Sequence, residues 1–237
     1  MPFYKSREIV GLSIGVVSLL TALSPYPLFY LGVLVLSLLI GYEISKAIGF
    51  EFFFFAPITF FFSSVSLELG VLCILLLSLY TGWRSWFFED FLKALLVCLY
   101  AGFLLVFLLR LKAFDGYVLL KLLFFIWAVD ILSYYSGKRF GKHLLAKRLS
   151  PKKTWEGLVG GALAGSLLLV LLHGLKGLFF SPFMVAGAVL GDLFKSYIKR
   201  MVGIKDFSHV LGEHGGFTDR FDSLIFTAPL YLFLLKF

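Results

Sequence analysis

Residues 91–109 read FLKALLVCLYAGFLLVFLL, an apolar run in which Lys93 is the single charged residue. A helix needs about 20 apolar residues to cross the hydrocarbon core of a bilayer, so this stretch predicts a membrane-spanning helix. Runs of the same kind recur along the chain. They predict nine helices, near residues 8–23, 27–42, 50–66, 69–83, 91–109, 117–135, 157–175, 178–193 and 223–236.

The overall composition indicates the same fold class. Of the 237 residues, 60% are hydrophobic and 15% are charged, whereas soluble domains average roughly 45–50% apolar and about 25% charged residues. A soluble domain cannot bury so much apolar surface, which excludes a soluble enzyme, a secreted disulfide scaffold and a disordered chain. The chain is therefore predicted to be an all-α integral membrane protein with about nine transmembrane helices.

Basic residues indicate how these helices are oriented. The stretch 136–156 is strongly basic, and cytoplasmic loops of membrane proteins carry an excess of Lys and Arg. Its basic residues are Lys138, Arg139, Lys142, Lys147, Arg148, Lys152 and Lys153. Two helices later, the stretch 194–222 falls on the same face. We therefore expect a multi-pass protein of the cytoplasmic (inner) membrane, and we attribute the net charge of +8 to topology and anionic lipid rather than to a nucleic-acid partner.

Small residues recur at a spacing of four where one predicted helix begins. These residues are Gly157, Gly161 and Gly165. Glycine at this spacing allows the backbones of two membrane helices to approach closely. We interpret the repeat as a helix-packing surface.

The polar side chains are concentrated in residues 116–237, whereas residues 1–115 hold about five apolar helices. Asp130 interrupts a predicted span, and an ionisable group there costs about 2.5–3.5 kcal/mol on insertion scales. Asp192 ends another apolar run. If the helix continues, one face carries Asp192 with the polar residues Lys195, Ser196, Lys199 and Arg200. A carboxylate beside cations suits a metal-chelated polyphosphate.

A second polar cluster, EHGGFTDRFD, covers residues 213–222. Gly215 and Gly216 permit a tight turn whose N–H groups can face phosphate oxygens. Asp219 and Asp222 share a helix face, and carboxylate oxygens suit Mg²⁺. Either cluster alone could be a solvated loop with internal charge pairs. Together they favour a phosphoryl- or nucleotidyl-transfer site in a polar, cytosol-facing cavity of the C-terminal half.

The order and spacing of these polar residues resemble the signature of phosphatidate cytidylyltransferases, the CDP-diacylglycerol synthases. The resemblance covers residues 127–225. It includes SPKKTWEG at residues 150–157, Ser196-x2-Lys199-Arg200-x4-Lys205-Asp206 and His214-Gly215-Gly216-x2-Asp219-Arg220-x-Asp222, with Asp130, Tyr134, Gly137-Lys138 and Gly141-Lys142 upstream. The chain departs from the family at Gly212-Glu213, where Pro-Gly is usual, at Ser208, where Gly is usual, and at Lys195, where Glu is common.

The resemblance implies that CTP and phosphatidic acid react to CDP-diacylglycerol and pyrophosphate, by in-line attack of the lipid phosphate on the α-phosphorus with the help of Mg²⁺. Asp192 and Asp219 would hold the metal with Asp222 nearby, and a second, monovalent cation such as K⁺ is compatible with the family. The implied catalytic residues are Asp192, Lys199, Arg200, His214, Asp219, Arg220 and Asp222. The implied substrate-binding residues are Asp130, Ser150, Lys152, Lys153, Thr154, Glu156, Ser196, Lys205, Gly215 and Gly216. The family also suggests a homodimer.

Three roles stay open for His214: a phosphate contact, a general acid for pyrophosphate, or a residue that orients the turn. Two alternative functions also stay open. A CDP-archaeol synthase or a CTP-dependent polyprenol kinase would use a similar layout with another lipid acceptor. An ion-coupled transporter could use Asp130 and Asp192, and it would be expected to show two related halves with broken helices.

Overall fold

The computed structural model describes residues 2–212 and 215–237, with side chains from residue 11 onward. Its fold is almost entirely helical. The helices are α1 (Pro2–Leu23), α2 (Tyr26–Ile48), α3 (Phe55–Val65), α4 (Leu67–Ser85), α5 (Phe88–Leu96), α6 (Val106–Phe114), α7 (Val118–Phe140), α8 (Trp155–His173), α9 (Leu175–Met201) and α10 (Thr218–Lys236). A π-helical segment, Val97–Phe103, joins α5 to α6, and a hairpin of β1 (Leu144–Ala146) and β2 (Ser150–Thr154) joins α7 to α8.

Among the described residues, six helical stretches are long and apolar enough to cross a membrane. They are Tyr26–Ile48, Leu67–Ser85, Phe88–Phe114, Val118–Phe140, Trp155–His173 and Leu175–Met201, and two shorter apolar helices are Gly11–Leu23 and Phe55–Val65. The protein is therefore an all-α, multi-pass membrane protein. Each of the nine predicted segments overlaps helical structure, but that all nine cross the bilayer stays a prediction.

The structure groups the chain into two compact units. The first consists of Met1–Tyr117 and Val202–Phe221, and the second of Val118–Met201 and Asp222–Phe237. The predicted division into residues 1–115 and 116–237 followed the distribution of polar side chains and stays a prediction. By contacts, the second unit begins at Val118, and residues 202–221 belong with the N-terminal helices.

In the first unit, close helix contacts depend on glycine. A Cβ atom at Gly102, in the π-helical segment, would lie 2.7 Å from the carbonyl oxygen of Ala56 on α3. The Ser37 hydroxyl of α2 donates a 2.6 Å hydrogen bond to the carbonyl of Ala101 in the same segment. This bond gives a buried carbonyl of the irregular segment a partner from the neighbouring helix. It also ties α2, the helix that carries Glu43, to the rest of the unit.

In the second unit, α7 packs along α8 through the predicted glycine repeat. A Cβ atom at Gly157 would lie 2.8 Å from the Ser133 carbonyl oxygen, and one at Gly161 would lie 2.7 Å from that of Val129. All three glycines of the repeat are buried. The helix-packing interpretation is confirmed.

Helices α9 and α10 approach each other just as closely. A Cβ atom at Gly191 would lie 2.5 Å from the Asp222 carbonyl oxygen. The Ser223 hydroxyl donates a 3.0 Å hydrogen bond to the carbonyl of Ala188. The backbone of Asp222 is thus held against the turn of α9 that leads into Asp192.

The helices extend further into the polar stretches than hydropathy indicates. Helix α7 continues to Phe140 and α9 to Met201, so the predicted loops 136–156 and 194–222 both begin with helix. Hydropathy places a boundary where polar side chains begin, whereas backbone hydrogen bonding continues past it. The first loop also contains the antiparallel hairpin, with Leu144 opposite Thr154.

Candidate active site

A chain of four alternating charges lies on α9, α10 and the hairpin. The Lys195 ammonium is 2.9 Å from Asp192 Oδ1 and 2.6 Å from Asp222 Oδ2, and the Lys153 ammonium is 2.7 Å from Asp192 Oδ2. The side chains of Lys195 and Asp222 are only 11% and 8% exposed. Because α9 is helical at this point, Asp192 and Lys195 lie one turn apart on the face that the sequence predicts, and there they pair.

A cavity of about 390 Å³ opens beside this charge chain, within the range of small-molecule sites. Its polar lining comes from α7, the hairpin and α9. The polar lining residues are Asp130, Ser133, Tyr134, Lys138, Ser150, Lys152, Lys153, Thr154 and Asp192. Six of the predicted site residues are thereby brought together, and the exposed side chain of Asp130 is open to this space.

Two predicted substrate-binding residues, Thr154 and Glu156, stabilise the turns on either side of the hairpin. The Thr154 hydroxyl accepts a 3.1 Å hydrogen bond from the Gly157 amide and so caps the start of α8. Glu156 Oε2 accepts hydrogen bonds from the backbone amides of Lys142 and His143, at 3.1 and 3.3 Å. Glu156 Oε1 lies 2.7 Å from His143 Nδ1. Glu156 therefore closes the turn between α7 and the hairpin.

Five other predicted site residues lie further along the chain. Ser196 is buried on α9, and Lys199 and Arg200 follow it toward the end of the helix, beyond the part that lines the cavity. Arg200 Nε donates to the carbonyl of Leu149 at 3.4 Å. Lys205 and Arg220 are exposed. Their contacts with substrate stay predictions.

The glycine pair forms the predicted tight turn, but its amides already have protein partners: Gly215 donates to the carbonyl of Gly212 and Gly216 to the Asp219 carboxylate. Gly215 has a left-handed φ of +77°, and a Cβ atom there would lie 2.7 Å from Asp219 Oδ2. The same oxygen accepts the amides of Gly216 and Phe207, each at 3.1 Å. A phosphate role for these glycines stays a prediction. His214 and Glu213 lie outside the described residues.

Sequence reasoning missed Glu43, which lies on α2 and is only 4% exposed. Its Oε1 accepts the Phe217 amide at 3.0 Å and the Ser208 hydroxyl at 2.6 Å. Its Oε2 accepts the Thr218 amide at 2.8 Å and the Thr218 hydroxyl at 2.7 Å. The sequence did signal Glu43 as a carboxylate at the end of an apolar run. Its hydrogen-bond partners, however, are more than 160 positions away along the chain, so the run alone does not reveal them.

Lys195 was predicted to share a face with Asp192 but was not placed among the site residues. It stands where Glu is common in the family. The structure brings its ammonium between two carboxylates. The signal that could have found it is the i, i+3 spacing from Asp192.

Mg²⁺ prefers carboxylate oxygens as protein ligands. Within residues 11–212 and 215–237 there is no cluster of three or more His, Cys, Asp or Glu that could hold a metal. Mg²⁺ is commonly held by one or two carboxylates together with water and substrate phosphates. Asp192 and Asp222 converge on one cationic group, the Lys195 ammonium. The chemistry of this donor pair therefore fits Mg²⁺, whose other ligands would be water and substrate phosphates.

A curated relative and a family sequence model match this chain along nearly its full length, and further relatives match about half of it. A curated protein of Aquifex aeolicus named phosphatidate cytidylyltransferase is 45% identical over 240 residues, which cover 98% of this chain and 92% of that protein. A Pseudomonas aeruginosa protein of the same name is 41% identical over 155 residues, which cover 54% of this chain and 55% of that protein. A Rickettsia felis protein of the same name is 41% identical over 123 residues, which cover 46% of this chain and 54% of that protein. A sequence model described as the Cytidylyltransferase family matches residues 5–237. The chain belongs to this cytidylyltransferase family.

Proposed function

We propose that this protein is a phosphatidate cytidylyltransferase, which converts CTP and phosphatidic acid to CDP-diacylglycerol and pyrophosphate. The observation that carries the proposal is the cavity lined by Lys152, Lys153 and Asp192, in a chain of the cytidylyltransferase family. The name of the Aquifex aeolicus relative supports the same substrates. Family membership speaks against the transporter alternative.

The reaction joins two anions, and the site offers the charges to offset their repulsion. A phosphate oxygen of the lipid attacks the α-phosphorus of CTP, a new P–O bond forms, and the bond to the leaving pyrophosphate breaks. The attacking oxygen is already ionised near neutral pH, so no strong base is needed. Positioned cations and exclusion of water therefore account for most of the catalysis. We assign Lys152 and Lys153 to the phosphates, because both line the cavity.

Asp192 and Asp222 are the residues that we propose to hold Mg²⁺. When bound, this ion would neutralise charge on the transferring and leaving phosphates. Lys195 keeps both carboxylates pointed at one position, and Lys153 pairs with the second oxygen of Asp192. Asp219 accepts two backbone amides in the first unit, and its role as a metal ligand stays a prediction.

We propose that the cavity opens to the cytosol and that the protein resides in the inner membrane. The basic residues of the hairpin and of the end of α7 support this orientation. CTP is a cytosolic substrate, so the lysines of the hairpin would then meet it directly. The homodimer stays a prediction from the resemblance.

The proposed function is tested with detergent-solubilised protein and CTP labelled either at the α-phosphate or at the γ-phosphate. The acceptors are phosphatidic acid, its ether-linked isoprenoid analogue and a polyprenol. We expect the α-label in a lipid product with phosphatidic acid and the γ-label in released pyrophosphate. Asp192→Asn, which keeps the side-chain size and removes its charge, is the matched inactive variant.

Two outcomes of this assay would contradict the proposal. Transfer of the γ-label to polyprenol would identify a lipid kinase. Transfer of the α-label only to the ether-linked acceptor would identify a CDP-archaeol synthase.

A further inference from the structure

Glu43 is a buried carboxylate that the proposed reaction does not yet use. Burying an ionised carboxylate is costly unless hydrogen bonds compensate it. Glu43 receives four such bonds, from two amides and two hydroxyls. It belongs to the N-terminal half, outside residues 127–225 that carry the family signature.

The turn before α10 is shaped to admit this carboxylate. A Cβ atom at Gly216 would lie 2.6 Å from Glu43 Cδ, which is closer than real Cβ atoms come to such a group. Any side chain at position 216 would therefore displace Glu43 or the turn. Glycine is required here because the carboxylate approaches the backbone so closely.

Successive amides of the turn are shared between two carboxylates. Gly216 donates to Asp219, and the next two amides, of Phe217 and Thr218, donate to Glu43. The first amides of a helix have no partner within the helix. Glu43 therefore supplies the acceptors that fix the start of α10, the turn on which Asp219 lies.

We propose that Glu43 is a positioning residue for cytidylyl transfer, which fixes the Gly216–Thr218 turn and thereby the orientation of Asp219. This inference rests on the proposed function. Glu43 does not touch substrate; it acts through the backbone of α10. A further consequence concerns phosphate binding. Because the amides of Phe217 and Thr218 already donate hydrogen bonds to Glu43, side chains rather than these amides would bind the substrate phosphates.

The test compares Glu43→Gln with the parent enzyme. The amide keeps the size of the carboxylate, but one of its two acceptor atoms becomes a donor that faces the Thr218 or Phe217 amide. We expect kcat to fall roughly 10- to 100-fold with KM for CTP nearly unchanged, because misplacement of a functional group costs up to about 100-fold in rate. Glu43→Asp, which keeps the charge, should recover part of kcat. Glu51→Gln, at an exposed glutamate, should match the parent.

Hydrogen exchange of residues 215–222 gives a second readout that does not depend on turnover. In Glu43→Gln the amides of Phe217 and Thr218 should exchange faster than in the parent, while the amides of α8 should keep the parental rate. If Glu43→Gln cannot be purified in folded form, Gly216→Ala disturbs the same contact from the other side and should give the same split between kcat and KM.

The outcomes separate this inference from the proposed function. A parent enzyme that does not turn over CTP and phosphatidic acid would refute the proposed function, and hydrogen exchange would still report on the turn. An active parent with unchanged kcat in folded Glu43→Gln would overturn the positioning role. A loss of activity that only follows the loss of folded protein would overturn it as well.

Discussion

At the scale of single residues, one ammonium group joins two helices of the candidate site. Lys195 lies within 2.9 Å of carboxylate oxygens on both α9 and α10, and its side chain is 11% exposed. Like charges held this close repel strongly when little water screens them. Lys195 therefore allows Asp192 and Asp222 to remain close together.

Replacement of Lys195 by Met should destabilise the protein and make its stability depend on Mg²⁺. Removal of one partner from a buried ion pair typically costs about 3–5 kcal/mol, and a divalent cation between the two carboxylates would restore part of this. The measurement is thermal unfolding in detergent, with EDTA and with excess Mg²⁺. Lys147→Met, at an exposed lysine of the hairpin connection, is the matched control. Equal stability of Lys195→Met and the parent in EDTA would refute this role.

At the scale of secondary-structure elements, glycines set the distance between α7 and α8. Their backbones approach so closely at Gly157 and Gly161 that a methyl group would meet carbonyl oxygens of α7. The cavity lies between residues of the same helices, Asp130 on α7 and Gly157 on α8 among them. The packing contact and the shape of the cavity are therefore set together.

Replacement of Gly161 by Val should separate α7 from α8. Insertion of extra carbon atoms into a close-packed contact typically costs about 1–3 kcal/mol. We expect a lower midpoint of thermal unfolding and a higher KM for CTP, because the cavity wall shifts. Leu163→Val changes a side chain on the same helix that is 69% exposed and should leave both values near those of the parent. Parental values for Gly161→Val would contradict the packing role.

At the scale of the whole molecule, the orientation in the membrane can be tested with a single new cysteine. If the hairpin faces the cytosol, a cysteine at Lys147 should react with a membrane-impermeant maleimide in inverted membrane vesicles and not in intact spheroplasts. The unmodified chain, with Cys73 and Cys98, reports the background labelling. Labelling from the outer side in intact spheroplasts would reverse the proposed topology.

Much of the fold was predictable because its determinants are local. Apolar runs located the helices, and helical spacing predicted that Asp192 shares a face with cations, among which the structure pairs Lys195 with it. The ends of α7 and α9 were placed too early, because both helices continue through polar residues that hydropathy treats as loop. Glu43 was missed for a different reason: a buried carboxylate is explained by its partners, and Thr218 is 175 positions away along the chain.

The contact of Gly191 with the backbone of Asp222 has a consequence for the enzyme in its lipid environment. The two helices touch at the same level at which their carboxylates share Lys195. Any change in lateral pressure that moved α9 relative to α10 would alter the separation of the two carboxylates. The turnover rate should thus respond to the thickness and acyl-chain order of the surrounding bilayer. The enzyme's activity would then depend on the physical state of the membrane whose lipids it helps to make.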